Sequence, residues 1–588
     1  MNVRIANLIL VFVCFLMSYS SAQDGVLPIP FEQNENQTAT YQEGIAFYES
    51  LAEVSEQVEM KAWGSTDIGL PIHTVVFSSD GTFDPTAIRK NGKLVMLVNN
   101  AIHPGEPCGV DASMMLLRDI VMAEKYAKEL KDIVIVVIPF YNIGGVLNRG
   151  AYSRANQNGP MQYGFRGNSQ NLDLNRDFIK CDTRNAQTFN QIYHHWSPDV
   201  FVDNHTSNGA DYQYTITLIA TQHNKLDPHL AEYMQQQMLP QLYAKMEAKS
   251  WEMTPYVYAR NTPDNGIAGF LDLARYSSGY AAIHNAISFM PETHMLKPFK
   301  DRVQSTYSFM TSVIETMATD KKAIQKARKK AIKNTKEKAS FDIGWTLDMK
   351  RADTILFKGY SVEYQTSAVS SLQRLHYDRN RPYEKKIPHW NDYKTTQSVE
   401  KPEAYIIPQA YHEVIERLEW NGVIVERLKE DTDVEVEMYR IEDYETTSYP
   451  YEKHYLHSKV ELSTKKQTWK YHKGDYVVYV DQTSNRYIVE TLEPHAPDSY
   501  FAWNFFDGIL MQKEHFSAYV FEDIAADILN DNKELRKELE KKKREDEKFA
   551  NSARAQLDFV YKNSPYYEPT HKLYPVGRLL KKTKLPLE

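Results

Sequence analysis

Leu94-Val95-Met96-Leu97-Val98-Asn99-Asn100-Ala101-Ile102-His103-Pro104-Gly105-Glu106 is the stretch on which the fold turns. It opens with an unbroken apolar run, which reads as a strand covered on both faces. Two residues able to bind a metal follow at its end. The arrangement recurs twice: Asp199-Val200-Phe201-Val202-Asp203-Asn204 leads to His205, and Ala286-Ile287-Ser288-Phe289-Met290-Pro291 leads to Glu292. Two His and one Glu form a catalytic zinc set with a fourth position left for water. A further Glu is what such a site needs to take that water's proton. The pattern predicts a metallohydrolase.

Around these runs, strands and helices alternate. The spacing of Ile45, Tyr48, Leu51 and Val54 predicts a helix from Tyr41 to about Val58. Helices are expected over Asp111 to Leu130, Arg184 to Trp196, Leu230 to Glu247 and Pro298 to Ala318. Ile133 to Phe140 and Tyr212 to Ala220 add strands. The fold expected is α/β: a mixed, mostly parallel sheet with helices on both faces. Ligands in such sheets sit outside the carboxyl ends of the strands, where the candidate ligands lie.

At 588 residues the chain is too long for one ordinary domain. Charged residues make up 25%, hydrophobic ones 42%, and the net charge is −8, so the chain is core-forming and has no basic excess to suggest a nucleic-acid partner. Arg4, the apolar run Ile5 to Met17 and the small residues Ser20-Ser21-Ala22 read as a signal peptide over 1–22. That predicts an exported protein, periplasmic or secreted, with no membrane span after cleavage. Cys14 falls in this segment. Cys108 and Cys181 remain, and two buried thiols are the favoured reading over a disulfide.

Lys321 to Lys338 holds nine Lys/Arg and one Glu. We read 40–318 as the catalytic domain and 319–340 as a basic, solvated helical linker. Short strand signals rich in Tyr mark a β-rich accessory region over 341–525. A charged helix and tail, 526–588, complete the chain. The lead-in before Tyr41 is too short for a folded inhibitory domain, so activity without further maturation is expected.

His103 and Glu106 are close enough in sequence to bind one ion, and Pro104-Gly105 suits the turn that aims both side chains one way. Asn171-Leu172-Asp173-Leu174-Asn175-Arg176-Asp177-Phe178 lies between the ligand segments. With that element in place the chain resembles the zinc carboxypeptidase family (carboxypeptidase A-like). Its members carry His-x-x-Glu, Asp-x-Asn-Arg, a strand-end His and a strand-end Glu in this order, and the match covers about residues 40–318.

The resemblance implies that His103, Glu106 and His205 bind one zinc per chain, with Glu292 as general base and then acid. Asp173 would bond the far nitrogen of His103. Asn175 and Arg176 would hold the substrate's C-terminal carboxylate, a planar fork and a directed donor meeting a planar anion. Arg154 is the choice for stabilising the oxyanion, with Arg149 and Arg166 as rivals. Tyr276 is the choice for a mobile substrate-binding tyrosine, with Tyr280 close behind. His294 is expected to pack or bond locally.

Ile488 to Pro494 and Trp503 to Asp507 resemble the C-terminal region of large bacterial secreted members of the family. The substrate expected is a peptide or protein C-terminus. A zinc amidase acting on cell-wall stem peptides is the alternative. A non-catalytic, zinc-holding protein that binds peptide or glycan is a more distant one, because it has no need of Glu292.

Overall fold

A computed structural model of the chain describes residues 27–259 and 261–588. The segment read as a signal peptide, 1–22, lies outside these residues. Two compact units are present. The first runs to Lys401 and takes in 416–423 and 481–490; the second holds the remainder.

The core of the first unit is a nine-stranded sheet. Its strands are β1 (Val58–Ser65), β2 (Pro71–Phe77), β3 (Leu94–Asn99), β4 (Ile133–Ile138), β5 (Val200–Asp203), β6 (His205–Ser207), β7 (Ile216–Ala220), β8 (Met253–Pro255) and β11 (Ile287–His294). Between the last two come short β9 (Tyr258–Ala259) and β10 (Ile267–Ala268). The spatial order is β1-β2-β4-β3-β5-β11-β7-β8, with β6 beside the end of β11. Pairing is parallel from β4 through β3 and β5 to β11, and antiparallel at β1/β2, β2/β4 and β11/β7. This is the expected mixed, mostly parallel sheet.

Among the helices of the unit are α1 (Tyr41–Val54), α2 (Cys108–Met122), α3 (Arg184–Trp196), α4 (Leu239–Ala248), α5 (Ser277–Ile283) and α6 (Phe299–Glu337). The two faces of each central strand go to different helices. Leu94, Met96, Val98, Val200 and Val202 share a core with Leu116 and Leu117 of α2 and Val313 and Ile314 of α6. Phe201 points the other way, its ring 5.9 Å from Phe189 and 6.0 Å from Tyr193, both on α3. Burial on both sides is why these strands are uniformly apolar. Local signals fix the helix starts. Thr40 and Glu43 form a reciprocal capping box on α1, and the Thr183 hydroxyl accepts from Ala186 N on α3.

Several elements differ from the sequence expectation: the helix expected over Asp111 to Leu130 ends at Met122, and the strand expected over Tyr212 to Ala220 begins at Ile216. The helix expected over Leu230 to Glu247 contains a π turn, Met234–Met238, just before Pro240. Proline lacks an N–H and crowds the carbonyl four residues back, and the wider turn accommodates it. Helix α6 continues through the basic stretch to Glu337, burying Ile324, Ala327 and Ala331. That stretch is therefore not wholly solvated. Glu292 is not the last residue of its strand, because β11 runs on to His294.

A long hairpin, β13 (Asp353–Thr366) and β14 (Gln373–Trp390), belongs to the first unit, preceded by β12 (Ser340–Leu347) and followed by β15 (Tyr393–Glu400). Phe357 and Ile387 of the hairpin share a core with Tyr212, Tyr214 and Ile267. The second unit is built on a six-stranded antiparallel sheet, with Thr432–Thr446 and His457–Tyr471 as its long strands. In the same unit, helices Ala518–Asp531, Lys533–Glu545 and Ala553–Lys562 share the core of Phe521, Leu539 and Val560. Among the described residues no helix is long and apolar enough to cross a membrane.

Asp199, at the start of β5, is 4% exposed. It accepts from Val95 N at 2.8 Å, Arg89 Nη1 at 2.5 Å and Arg328 Nη1 at 2.7 Å. Burial pushes its carboxyl up, but Arg328 and Arg89 outweigh that and hold it below the usual range. Burial lowers Arg89's own pKa without discharging it, because its ordinary value is so far above neutral. A depressed folded-state pKa contributes stability above the unfolded value, lost as pH falls through the folded one. Asp199→Ala is expected to cost about 3 kcal/mol at pH 7, read from urea unfolding. The gap to the unsubstituted protein should narrow as pH drops below about 4.

Candidate active site

The loop after β3 turns on Glu106 N donating to His103 O at 2.8 Å. A side chain at Gly105 would run into the Arg154 guanidinium, so the glycine makes room for it. His205 opens β6, and β6 lies parallel to β11 with His205 and Glu292 paired in register. Sheet geometry therefore sets Glu292 beside the second histidine.

His103, Glu106 and His205 form the one group of three or more potential ligands among the described residues, their ligand atoms all within 4.8 Å of one another. Both imidazoles point Nδ1 inward. His205 Nδ1 is 3.2 Å from Glu106 Oε2. His103 Nδ1 is 3.3 Å from Glu106 Oε1, buried and without a hydrogen-bond partner. Both turn Nε2 onto a carboxylate, His103 to Asp173 at 2.9 Å and His205 to Asp203 at 2.8 Å. This backing fixes which nitrogen of each ring is free to bind a cation. Two nitrogens and one carboxylate, with an orphaned lone pair among them, fit zinc.

Glu106 is 4% exposed. Burial pushes its carboxyl up, but His103 and Arg154 outweigh this and hold it well below the usual carboxylate range. Thr206 N donates to Oε2 at 2.8 Å, and Arg154 Nη2 lies 2.5 Å from Oε1. Glu292 contrasts with it. Burial pushes its carboxyl up to about 8, with His205 opposing and Glu106 adding to the rise. Its carboxylate has no hydrogen-bond partner among the described residues. Two neighbouring carboxyls driven apart by their surroundings are a mark of a working site.

These residues line a cleft of about 550 Å³, together with Arg154, Arg166, Asn175, Arg176 and Tyr276. Asn175 Oδ1 accepts from Ser277 N at 3.0 Å, which leaves its amide nitrogen as the donor toward the cleft. Arg176 lies 4.4 Å from the Tyr276 ring centroid, its Nη1 bonded to Asn175 O at 2.8 Å. Tyr280 is instead fully buried, bonding His194 at 3.0 Å and Asn421 at 2.6 Å. Of the candidate arginines, Arg149 binds the Thr38 and Ala39 carbonyls away from the cleft. Arg154 is 11% exposed, and Arg166, which joins Asp173 to Glu106, is 45% exposed. His294 bonds Ala210 O at 2.7 Å, as a locally packed residue should. Cys108 and Cys181 are buried and unpaired with each other.

The sequence reading missed Asp203. Its second oxygen accepts from Asn99 Nδ2 at 3.0 Å, its register partner across β3/β5. The only local signal was an acid two residues before a candidate ligand.

An α/β sheet that presents two carboxylate-backed histidines and two glutamates in one cleft defines a metal-dependent hydrolase. A profile of the zinc carboxypeptidase family matches residues 45–370, and the chain belongs to that family. It is a metallocarboxypeptidase of a zinc-dependent kind. Carboxypeptidase 2 of Trichophyton rubrum is 21% identical over 436 residues, 69% of this chain and 73% of that protein. Carboxypeptidase 2 of Trichophyton tonsurans is 21% identical over 430 residues, with the same coverage. Among solved structures, a metallo-carboxypeptidase from Burkholderia cenocepacia aligns at TM-score 0.37 and 14% identity, over 48% of this chain and 70% of that one. Carboxypeptidase A from Helicoverpa armigera aligns at TM-score 0.37 and 14% identity, over 51% and 75%.

If Asp203 orients His205, Asp203→Asn should weaken zinc binding about 10–100-fold. Competition with a chromophoric chelator measures this directly. Unchanged affinity would assign Asp203 to packing alone.

Proposed function

We propose that the protein removes C-terminal residues from peptides and proteins, with His103, Glu106 and His205 holding one zinc ion. The observation that carries the reading is the convergence of two inward Nδ1 atoms and the Glu106 carboxylate beside Glu292, whose carboxylate has no hydrogen-bond partner among the described residues. Bound there, zinc supplies a Lewis acid for the scissile carbonyl and lowers the pKa of a water.

Glu292 takes a proton from the attacking water and returns it to the leaving amine nitrogen, so the carboxylate is regenerated at the end of the cycle. Its place opposite His205 in the β6/β11 register supports this. Asp173 and Asp203 keep the imidazoles in one tautomer throughout. Arg176 and the Asn175 amide nitrogen grip the terminal carboxylate, with Tyr276 beside the guanidinium. That grip makes the enzyme an exopeptidase, since a mid-chain bond has no anion at this distance.

For the oxyanion, Arg154, the choice made from sequence, and its rival Arg166 both stand in reach, since both line the cleft and both bond Glu106. Arg154 also bonds Gln157, and Arg166 also bonds Asp173. The N-terminal segment Ile5 to Met17, with Ser20 to Ala22 after it, supports export.

Glu292→Gln should retain zinc and lose turnover by about three or more orders of magnitude. Arg176→Ala should raise KM for free-acid peptides and erase their advantage over the same peptides with amidated ends. Mass spectrometry of digests reads both. Unchanged turnover in Glu292→Gln would sink the assignment of the base, and an undiminished acid preference in Arg176→Ala that of the carboxylate clamp.

A further inference from the structure

Arg302, on the first turn of α6, is 0% exposed. Among the described residues its guanidinium bonds backbone carbonyls and no carboxylate. Nε donates to Lys297 O at 3.1 Å, and Nη2 donates to Asn158 O at 2.7 Å and Gly159 O at 2.5 Å. Nη1 lies 3.9 Å from Cys108 Sγ, and Cζ lies 5.3 Å from the centroid of the Phe299 ring. Burying a cation is costly, and without a counter-ion these contacts alone offset the cost. Burial lowers its pKa, with Cys108 and Glu106 opposing and Arg154 adding to the fall. The ordinary value is so far above neutral that the charge stays.

Two of these contacts bear on the cleft from behind. Asn158 and Gly159 follow the turn that carries Arg154. In that turn Gln157 N donates to Arg154 O at 3.1 Å, and Arg154 Nη1 donates to Gln157 Oε1 at 3.0 Å. Gln157 Nε2 donates to Gly105 O at 2.9 Å, on the loop between His103 and Glu106. Asn158 N donates to Met295 O at 2.8 Å, just past β11. The turn is therefore pinned by the residue after β11 on one side and by Arg302 on the other, and from it Arg154 reaches Glu106. Cys108 in turn lies 3.5 Å from the hydroxyls of Thr206 and Thr293, the residues that follow His205 and Glu292. Arg302 itself does not line the cleft.

A planar fork suits this place. It reaches two carbonyls from Nη2 and a third from Nε, whereas a lysine ammonium is a point donor on a different stem.

We infer that Arg302 is a positioning residue: it holds the 154–159 turn so that Arg154 keeps its bond to the Glu106 carboxylate, and it acts on zinc binding through that bond. The inference rests on the reading of His103, Glu106 and His205 as the zinc ligands. Outer partners of metal ligands contribute about 10–100-fold to metal affinity.

The test is a double-mutant cycle on the full chain, with zinc affinity read by competition with a chromophoric chelator. Arg302→Lys and Arg154→Ala should each weaken zinc binding by about 10-fold or more. The double variant should bind no more weakly than Arg154→Ala alone, because the bond through which Arg302 acts is already gone. Losses that add overturn the inference, assign Arg302 to the packing of α6 and leave the peptidase reading intact. Unchanged affinity in either single variant does the same. Should Arg302→Lys fail to fold, Gly159→Ala reaches the contact from the loop. Gly159 has φ +73°, and a side chain there would run into Asn36, so its carbonyl would be displaced from Arg302 with the buried side chain unaltered. Gly159→Ala should show the same loss and the same lack of additivity with Arg154→Ala; unchanged affinity or additive losses there overturn the inference as well. No zinc bound by the unsubstituted chain overturns the assignment of the ligands and this inference with it.

Discussion

A buried carboxylate must be compensated, and Glu106 is where this molecule meets that requirement. Three segments supply the compensation: the loop that carries His103, the strand that opens with His205 and brings the Thr206 backbone N–H, and the loop bearing Arg154 and Arg166. Each is far from the others in sequence, and each has its own further tie. Asp173 links His103 to Arg166, and Asp203 links His205 to Asn99 on a neighbouring strand. The cleft is therefore assembled around one negative charge. A divalent cation would meet ligands already aimed at it and partly neutralised by cationic neighbours.

The parts of this arrangement that could be read in the sequence are those with local signatures. Apolar runs such as Leu94 to Val98 and Ile133 to Ile138 announce strands covered on both faces. Helix α3 has the expected bounds because Thr183 caps its start, and its end falls at Ser197, in the left-handed region. The ligand residues were legible as a set, since each follows an apolar run.

What escaped reading depends on distance or on backbone detail. Glu106 is bonded by segments as far off as Arg154 and His205, and nothing local distinguishes Arg154 from Arg166. Asp203 looked like one more strand-end acid until β3 and β5 were set side by side. The run Val423 to Val425 reads as a strand, yet pairing begins only at Glu426, where a neighbouring strand is present to receive it. Likewise, no periodicity in Asp353 to Trp390 says that this hairpin shares a core with Tyr212 and Ile267; that contact exists only once the chain has folded.

Tyr276 sits on a short span, 270–276, tied at both ends. Gly269 is bonded to the hairpin, and Ser277 N is bonded to Asn175, a residue proposed to grip the substrate's terminal carboxylate. Such a span has little slack to open as a lid. The freedom left to the tyrosine is a swing about its own side-chain bonds, a nanosecond event rather than a slow loop excursion.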